Sequence, residues 1–350
     1  MRYRKEIDKI PPYIPGKSKE GAIKLASNEN PLGTSPKAVE RMRQIIDNVS
    51  LYPDQISYKL RIKLADKYNL KPENFIIGNG SDEIMSLIAG AFIEYGDNAI
   101  ISKVTFSKYE ISTLFFGGIP KFVPLLNGVY NLEEMLTKID NRTKLIFLCN
   151  PNNPTGTYFP HNKLLNFIRN VPKDIIIIID EAYGEYVEAE DFPNSISILE
   201  KYSNIIILKT FSKIYGMAGL RLGYGISNPD LIKILYKIKE PFNVNYIAHE
   251  AGIAALDDIE FVKKSIELNK NGKYYLYNEL NKLNLKYYPT QANFIYIELE
   301  KNCIEVFEKL MDMGIVIRPL NSFGVDNSIR VTIGTQSQNE FFINCLRKIL

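Results

Sequence analysis

Five consecutive isoleucines, Ile175–Ile179, are the feature that most restricts the fold of this 350-residue chain. A run that is apolar at every position has no polar face for water, so it predicts a strand buried on both sides. Between Asn74 and Ile226, similar short runs alternate with longer stretches of helical periodicity. This alternation predicts right-handed crossovers and a largely parallel sheet with helices on both faces. The predicted strands are Phe75–Ile77, Ala99–Ile101, Lys144–Leu148, Ile175–Ile179 and Ile205–Leu208.

The pattern changes in the C-terminal third of the chain. After a predicted helix at Pro229–Lys239, long helical stretches begin at Tyr246, followed by an alternating strand at Ala292–Leu299 and a last helix at Asn339–Ile349. We therefore predict an α/β protein with an N-terminal arm, a large domain and a smaller α/β domain. The predicted bounds are 1–24 for the arm, 38–245 for the large domain, and 25–37 together with 246–350 for the small domain.

The charge balance and the histidine and cysteine content exclude several classes of function. Lys and Arg number 43 and Asp and Glu number 40, a net charge of +3 that favours neither a nucleic-acid groove nor a membrane surface. Two histidines cannot build a multi-histidine metal centre, so we expect no metal. Three widely spaced cysteines favour neither a disulfide framework nor structural zinc, and we expect a cytoplasmic protein.

Two turns that follow predicted strands carry candidate chemistry. Gly78–Glu83 leads from a strand into a helix, whose first N–H groups suit a phosphate, although a simple helix cap by Ser81 or Asp82 explains the same residues. Asn150–Gly156 contains two Asn-Pro steps at the carboxyl end of a strand, where open α/β sheets bind ligands. An ordinary loop has that composition too.

Two further segments place ionisable side chains after buried strands. Asp180 follows the isoleucine run, with Tyr183 just beyond it, and a carboxylate buried there needs a positive partner. In a surface loop the same carboxylate would be an ordinary solvated charge and would indicate no function. The segment Thr210-Phe211-Ser212-Lys213 follows the next strand and precedes Arg221. A single lysine is more often a solvated surface charge than a catalyst.

The four segments lie at the ends of strands assigned to one sheet, so we expect them to converge. Pyridoxal phosphate requires that combination: an amine for its aldehyde, a carboxylate for its ring nitrogen, and donors for its phenolic oxygen. Its phosphate requires a helix start with hydroxyls and an arginine. Each segment alone has an ordinary explanation, but together they predict a pyridoxal-phosphate enzyme.

Other segments of the chain extend this pattern over nearly its whole length. They are Pro12–Gly16, Leu25–Pro31, Leu51–Asp54, Pro241–Asn245 and Ile329–Thr335. With the lysine and Asp-x-x-Tyr segments, they resemble the fold-type I pyridoxal-phosphate aminotransferases, and among these the histidinol-phosphate aminotransferase family. The resemblance implies a large domain with a mostly parallel seven-stranded sheet between helices, plus a smaller α/β domain. His249 stands where that family has glutamine, which we interpret as packing.

The resemblance implies a catalytic role for each matching residue. Lys213 is the covalent attachment point of the cofactor and the base that moves a proton at the substrate α-carbon. Asp180 pairs with the pyridine nitrogen. Unit charges about 4 Å apart at an effective dielectric of about 20 interact by about 4 kcal/mol, which keeps that nitrogen protonated, whereas a neutral hydrogen bond of about 1 kcal/mol would not. Tyr183 and Asn153 donate to the phenolic oxygen, and Tyr109 stacks on the ring.

The remaining implied contacts involve anions. Arg330 binds glutamate or 2-oxoglutarate and histidinol phosphate in turn by a two-pronged hydrogen bond. Arg318 is the candidate second cation for the phosphate, with a plain surface arginine as the alternative. Asn30 and Tyr13 complete the substrate contacts. The cofactor phosphate is assigned to Ser81, Asp82, Thr210, Ser212 and Arg221.

The resemblance also implies a homodimer with shared sites. Tyr52 matches a tyrosine that reaches the cofactor phosphate of the neighbouring subunit, and Tyr13 matches one that covers the neighbour's substrate. With 22 tyrosines in the chain, ordinary surface tyrosines remain an alternative.

The implied reaction exchanges an amino group between histidinol phosphate and 2-oxoglutarate, giving imidazole acetol phosphate and glutamate in histidine biosynthesis. Three alternatives stay open at this point. They are an aromatic amino-acid aminotransferase, a decarboxylase similar to threonine-phosphate decarboxylase, and a non-catalytic cofactor-binding or regulatory protein.

Overall fold

A seven-stranded sheet lies at the centre of the computed structural model, which describes residues 4–10, 12, 17 and 19–350. One of its strands, Leu222–Ser227, is antiparallel to both of its neighbours, and the other neighbouring pairs are parallel. The prediction of a mostly parallel seven-stranded sheet is thus confirmed. In spatial order the strands are β2 (Phe75–Asn79), β8 (Leu222–Ser227), β7 (Ile205–Thr210), β6 (Ile176–Asp180), β5 (Thr143–Cys149), β3 (Asn98–Ser102) and β4 (Ile119–Val123).

Within the described ranges, nine α-helices contribute buried apolar side chains to the same cluster as this sheet. The isoleucines of β6 are at most 6 % exposed, as a strand covered on both faces requires. The helices are α1 (Pro36–Ile45), α2 (Tyr58–Tyr68), α3 (Gly80–Phe92), α4 (Lys108–Phe115), α5 (Leu132–Thr137), α6 (His161–Asn170), α7 (Ser195–Leu199), α8 (Pro229–Tyr236) and α9 (Tyr246–Leu256).

The other elements form a second buried cluster. Its three-stranded antiparallel sheet has the order β11-β12-β9, with β11 at Arg318–Pro319, β12 at Ser328–Thr332 and β9 at Phe294–Glu298. A two-stranded parallel sheet joins β1 (Ile23–Lys24) to β10 (Ile315–Val316). The helices are α10 (Ile259–Lys282), α11 (Cys303–Asp312) and α12 (Gln336–Ile349).

The packing divides the chain at different points from the sequence prediction. Ile23–Lys24, expected in the N-terminal arm, is strand β1 and packs with the second cluster. Helix α9, expected in the small domain, buries Ala248, Ala251 and Ala255 in the first cluster. A two-residue strand is too short to show a period, and small alanines mark the face of a helix weakly, so the sequence pattern did not show either assignment.

Strands β4 and β8 were not among the predicted elements. β4 is an edge strand whose sequence includes a proline and a lysine, and both are unusual within sheets. β8 contains two glycines, which normally indicate a turn. A Cβ atom on Gly223 would lie 2.5 Å from the backbone nitrogen of Ser81, so this glycine lets β8 pass beside the start of α3.

The other boundaries moved by a few residues. Helix α8 ends at Tyr236 rather than Lys239, and α12 begins at Gln336 because Thr335 and Gln338 form a capping box. None of the helices within the described ranges is long and apolar enough to cross a membrane.

Candidate active site

A cavity of about 400 Å³ opens where β6 and β7 end and meets residues of the second cluster. Ligands of open α/β sheets bind at this edge, and the volume lies in the range of small-molecule sites. The residues predicted from sequence that line it are Ser81, Asp82, Asn153, Asp180, Tyr183, Thr210, Ser212, Lys213, Arg221, Arg318 and Arg330. The four sequence segments therefore do converge.

Lys213 lies three residues after the end of β7, and its side chain points into the cavity. Its Nζ donates to the carbonyl oxygen of Ser27 at 3.0 Å and lies 5.8 Å from the centre of the Tyr183 ring. Burial, together with a smaller effect of the positive charge of Arg330, lowers the pKa of Lys213 to about 8. Near neutral pH, a larger fraction of this amine is therefore in the neutral, nucleophilic form than for an ordinary lysine.

Asp180 ends β6 and is 3 % exposed. Its Oδ1 accepts a hydrogen bond from the backbone N–H of Ala182 at 3.1 Å, and its Oδ2 accepts one from the Tyr109 hydroxyl at 2.7 Å. Both donors are neutral, and burial raises the pKa of Asp180 to about 6. A positive group in the cavity would stabilise the ionised carboxylate.

The structure corrects the role expected for Tyr109. This side chain is fully buried and stacks on Phe147 with ring centres 4.9 Å apart, behind Asp180 rather than in the cavity. Phe106 is the aromatic side chain that lines the cavity. The reason is local: α4 begins at Lys108, so its first turn directs Tyr109 toward the sheet, whereas Phe106 lies in the preceding loop.

One end of the cavity is built to hold an anion. The backbone of Arg221 is left-handed, with φ of 55°, and its guanidinium contacts Asp82 Oδ2 at 3.1 Å and Ser212 Oγ at 3.4 Å. Thr210 Oγ1 accepts from the backbone N–H of Ser212 at 3.0 Å. These side chains surround the start of α3, where free N–H groups carry partial positive charge. Gly80 leaves room for them, because a Cβ atom there would lie 2.8 Å from Arg221 Nη2.

A second cationic end is formed by two arginines on adjacent strands. Arg330 on β12 lies directly opposite Arg318 on β11. The Arg330 guanidinium donates to Asn153 Oδ1 and to the carbonyl oxygen of Ala26, and its buried Nε has no partner among the described residues. Burial lowers the pKa of Arg330 to about 10, so it stays charged at neutral pH. Arg318 donates to Ser322 and lines the cavity, unlike a plain surface arginine.

Comparison with known proteins agrees with this geometry. The family model described as aminotransferase class I and II matches residues 20–346. The chain belongs to that family.

Two curated relatives of this aminotransferase are similar over the full length. The histidinol-phosphate aminotransferase of Moorella thermoacetica is 47 % identical over 99 % of this chain and 92 % of the relative. That of Caldicellulosiruptor saccharolyticus is 44 % identical over 99 % of this chain and 100 % of the relative. Among solved structures, histidinol-phosphate aminotransferase from Sinorhizobium meliloti in complex with pyridoxal-5'-phosphate has a TM-score of 0.91 at 26 % identity, covering 100 % of this chain and 98 % of its own.

The asparagine that reaches the cavity of this aminotransferase is Asn28, not Asn30. Asn28 has a left-handed backbone with φ of 57°, and its Nδ2 donates to the Tyr183 hydroxyl at 2.9 Å. The expected substrate contact of Asn30 is corrected: its amide donates to the Ile214 carbonyl and to Ser265 Oγ, which ties the segment after Lys213 to α10. Because asparagine adopts the left-handed conformation more readily than most residues, a turn at Asn28 was the signal that the sequence offered.

The remaining predictions concern Tyr52, Tyr13 and His249. Tyr52 is 81 % exposed and stacks on Phe242 with ring centres 4.5 Å apart. Tyr13 lies outside the described residues. His249 is 2 % exposed within α9, and burial lowers its pKa, as expected for a histidine that packs in the core.

Proposed function

We propose that this aminotransferase exchanges an amino group between histidinol phosphate and 2-oxoglutarate, giving imidazole acetol phosphate and glutamate, in histidine biosynthesis. Pyridoxal phosphate is the proposed cofactor. The observation that carries the proposal is the pair of facing arginines, Arg330 and Arg318, in the same cavity as Lys213. A phosphate substrate carries more negative charge than a carboxylate, and two guanidiniums suit it better than one. The two full-length curated relatives are both named histidinol-phosphate aminotransferase.

The cavity fits pyridoxal phosphate in charge and in shape. Asp180 is a buried carboxylate whose hydrogen bonds come only from neutral donors, so a protonated ring nitrogen supplies the positive partner it lacks. Arg221, Ser212 and Thr210 form a cradle for the phosphate at the start of α3, where a Cβ atom on Gly80 would lie 2.8 Å from Arg221 Nη2. Phe106 provides an aromatic surface for the ring.

Each side chain of the cavity then has a defined task. The bound cofactor supplies an electron-withdrawing ring that accepts electron density from the substrate α-carbon. Lys213 would hold the cofactor covalently, and its amine would be the base that moves a proton at that α-carbon. Asp180 keeps the ring nitrogen protonated. Tyr183, itself held by Asn28, and Asn153 donate to the phenolic oxygen.

The substrates bind to the arginine end of the cavity. Arg330 is already oriented by Asn153 and by the Ala26 carbonyl, so it loses little side-chain freedom when it binds an anion. Glutamate uses this guanidinium for a carboxylate, and histidinol phosphate uses it for its phosphate. Arg318 adds a second positive group for the phosphate.

The proposed enzyme is a homodimer in which each active site receives groups from both subunits. Tyr52 belongs to a surface with exposed apolar side chains. Their exposure to water is unfavourable, and a second copy of the chain would cover them. In this arrangement Tyr52 reaches the neighbour's cofactor phosphate and Tyr13 covers the neighbour's substrate. The exposed side chains near Tyr52 in sequence are Ile46, Val49, Leu51, Ile56 and Tyr58.

Cys149, Cys303 and Cys345 are free thiols, which suits the reducing cytoplasm as the proposed location.

A substrate panel tests the assignment. Protein loaded with pyridoxal phosphate is given histidinol phosphate, phenylalanine, tyrosine or phosphothreonine, with 2-oxoglutarate as acceptor, while glutamate and carbon dioxide are measured. We expect kcat/KM for histidinol phosphate to exceed that for phenylalanine by about ten- to a hundredfold, the effect of an additional charged hydrogen bond. A preference for phenylalanine or tyrosine would assign an aromatic aminotransferase. Carbon dioxide from phosphothreonine would assign a decarboxylase, and bound cofactor without turnover would assign a regulatory protein.

A further inference from the structure

Lys209, Glu181 and Glu185 form a buried ion cluster beside the active site. Lys209 Nζ lies 3.1 Å from Glu181 Oε2 and 3.4 Å from Glu185 Oε1. Lys209 precedes Thr210 in β7, and successive side chains of a strand point to opposite faces, so Lys209 lies behind the residues that face the cavity. The exposed fractions of the three side chains are 9 %, 6 % and 15 %.

Burying three charges in such a cluster costs folding free energy, and the proposed reaction does not use these charges directly. Three charges removed from water lose hydration, and a buried ion pair is seldom more stable than a well-packed apolar pair. Burial by itself lowers the pKa of Lys209, but the two carboxylates outweigh it and hold that pKa well above its ordinary value. One oxygen of the cluster, Glu181 Oε1, has no partner within the described residues. A role in fixing local geometry would explain why the cluster is there.

The cluster holds both ends of the turn that carries Tyr183. Glu181 and Glu185 each lie two residues from Tyr183, and both bind the same ammonium group. The backbone N–H of Gly184 donates to the Glu181 carbonyl at 2.9 Å, which closes the turn. The turn passes close to the lysine, because a Cβ atom on Gly184 would lie 3.2 Å from Lys209 Nζ. The position of the Tyr183 backbone therefore depends on one buried cation.

We propose that Lys209, through Glu181 and Glu185, is a positioning residue that sets the reach of the Tyr183 hydroxyl toward the cofactor's phenolic oxygen. Asn28 orients that hydroxyl from the other side, and Phe294 supports the ring edge-to-face with centres 5.0 Å apart. Lys209 determines where the base of the side chain lies. This inference rests on the proposed function, because Tyr183 has this task only if pyridoxal phosphate binds.

The test measures the pH at which the visible absorption band of the bound cofactor changes. Tyr183 stabilises the ionised phenolic oxygen and so lowers the proton affinity of the nitrogen that joins Lys213 to the cofactor. If Tyr183 is displaced, the midpoint rises, by about one pH unit for one lost charged hydrogen bond. Tyr183→Phe gives the reference value for complete loss of that bond.

Glu181→Met is the decisive variant because a positioning role and a simple effect of charge predict shifts of the midpoint pH in opposite directions. Loss of a negative charge alone would destabilise the protonated nitrogen and lower the midpoint. Loss of positioning raises it. We expect an increase of up to about one pH unit, and no further increase when Glu181→Met is added to Tyr183→Phe, since both act through the same hydroxyl. The variant keeps one carboxylate for Lys209, whereas Lys209→Met leaves two unpaired and can prevent folding. Glu185→Met serves as a second variant of the same design.

Lys273 supplies the matched control. It is also a buried lysine, it pairs with Glu188, and it lies outside the turn that carries Tyr183. Lys273→Met is expected to lower stability and leave the midpoint unchanged. A lowered or unchanged midpoint in Glu181→Met, or additive shifts in the double variant, would overturn the positioning role. If the wild-type protein forms no Lys213-dependent absorption band with pyridoxal phosphate, the proposed function itself fails, and this is seen before any variant is made.

Discussion

The Tyr109 hydroxyl donates a hydrogen bond to Asp180 Oδ2 over 2.7 Å, and both side chains are buried. The bond joins the first turn of α4 to the end of β6. Burial raises the pKa of Tyr109 well above its ordinary value, so the phenol keeps its proton and remains a donor. Asp180 is thereby stabilised as a carboxylate inside an apolar sheet.

Tyr109→Phe is expected to move the acid limb of the pH–kcat profile to higher pH by about one unit. The hydrogen bond lowers the pKa of Asp180, so its loss raises that pKa in the free and in the cofactor-loaded protein, and a protonated Asp180 cannot pair with a protonated ring nitrogen. Steady-state rates between pH 5 and pH 9 measure the shift. Tyr277→Phe, which removes a hydroxyl that binds the Thr290 N–H away from the cavity, is the control. Equal profiles for wild type and Tyr109→Phe would refute this role.

Covalent attachment of pyridoxal phosphate to the apoprotein is expected to accelerate with pH up to about 8. Only the neutral amine attacks the aldehyde, and burial lowers the pKa of Lys213 to about 8. Stopped-flow absorbance at a series of pH values measures the rate. A free lysine derivative, whose amine titrates near 10.4, gives the comparison curve. Lys213→Ala should lose the covalent band and nearly all transamination while retaining phosphate-side binding of the cofactor. Normal turnover by that variant would contradict the assignment of Lys213 as the residue that binds the cofactor covalently.

Arg330→Ala is expected to weaken glutamate and histidinol phosphate together, each by about ten- to a hundredfold in KM. Both anions use the same guanidinium, which the cavity orients through Asn153 and Ala26. Separate half-reactions with each substrate give the two values. Arg330→Lys keeps a point charge without the two-pronged geometry and should recover only part of the loss. An effect on one substrate alone would show that the two anions bind at different places.

Arg318→Ala is expected to weaken histidinol phosphate more than glutamate. Arg318 lies opposite Arg330 across the β11–β12 pair, so it can contact a doubly charged phosphate that Arg330 already holds. The ratio of kcat/KM for the two substrates, relative to wild type, measures the selective effect. Lys301→Ala controls for a general change in charge, because Lys301 donates to the carbonyl oxygens of Ile349 and Leu350 and does not line the cavity. An unchanged ratio would make Arg318 irrelevant to the phosphate.

Mixed dimers test the shared site. Lys213→Ala and a Tyr52→Phe/Tyr13→Phe double variant are each expected to be impaired, for different reasons. After subunit exchange, a mixed dimer contains one site with an intact Lys213 and both donated tyrosines. Random exchange makes about half of the dimers mixed, so about a quarter of all sites recover activity. Exchange is confirmed independently by mass. Exchange without any recovery would reject the shared-site arrangement.

The chemistry-bearing residues were largely predictable because they belong to contiguous segments. Lys213, Asp180 and Asn153 each follow a strand whose apolar run is obvious in the sequence, and the ends of neighbouring parallel strands meet at one edge. Predicting the strand thus also placed the residue that follows it. Strand β8 was not predicted because Gly223 is required by the close approach of Ser81 in α3, a tertiary contact that leaves no pattern in the local sequence.

The sequence by itself predicted five strands of the large sheet, the order of the segments that follow them, and many of the residues that line the cavity. Tertiary structure alone decided which of two residues close in sequence faces the cavity. Phe106 and Tyr109, or Asn28 and Asn30, are equally plausible by residue type, but the start of α4 and a left-handed turn at Asn28 set their directions. The ion cluster of Lys209 also depends on a pairing between β7 and the turn after β6. Residue type is a local property, whereas direction and burial depend on which distant elements pack together.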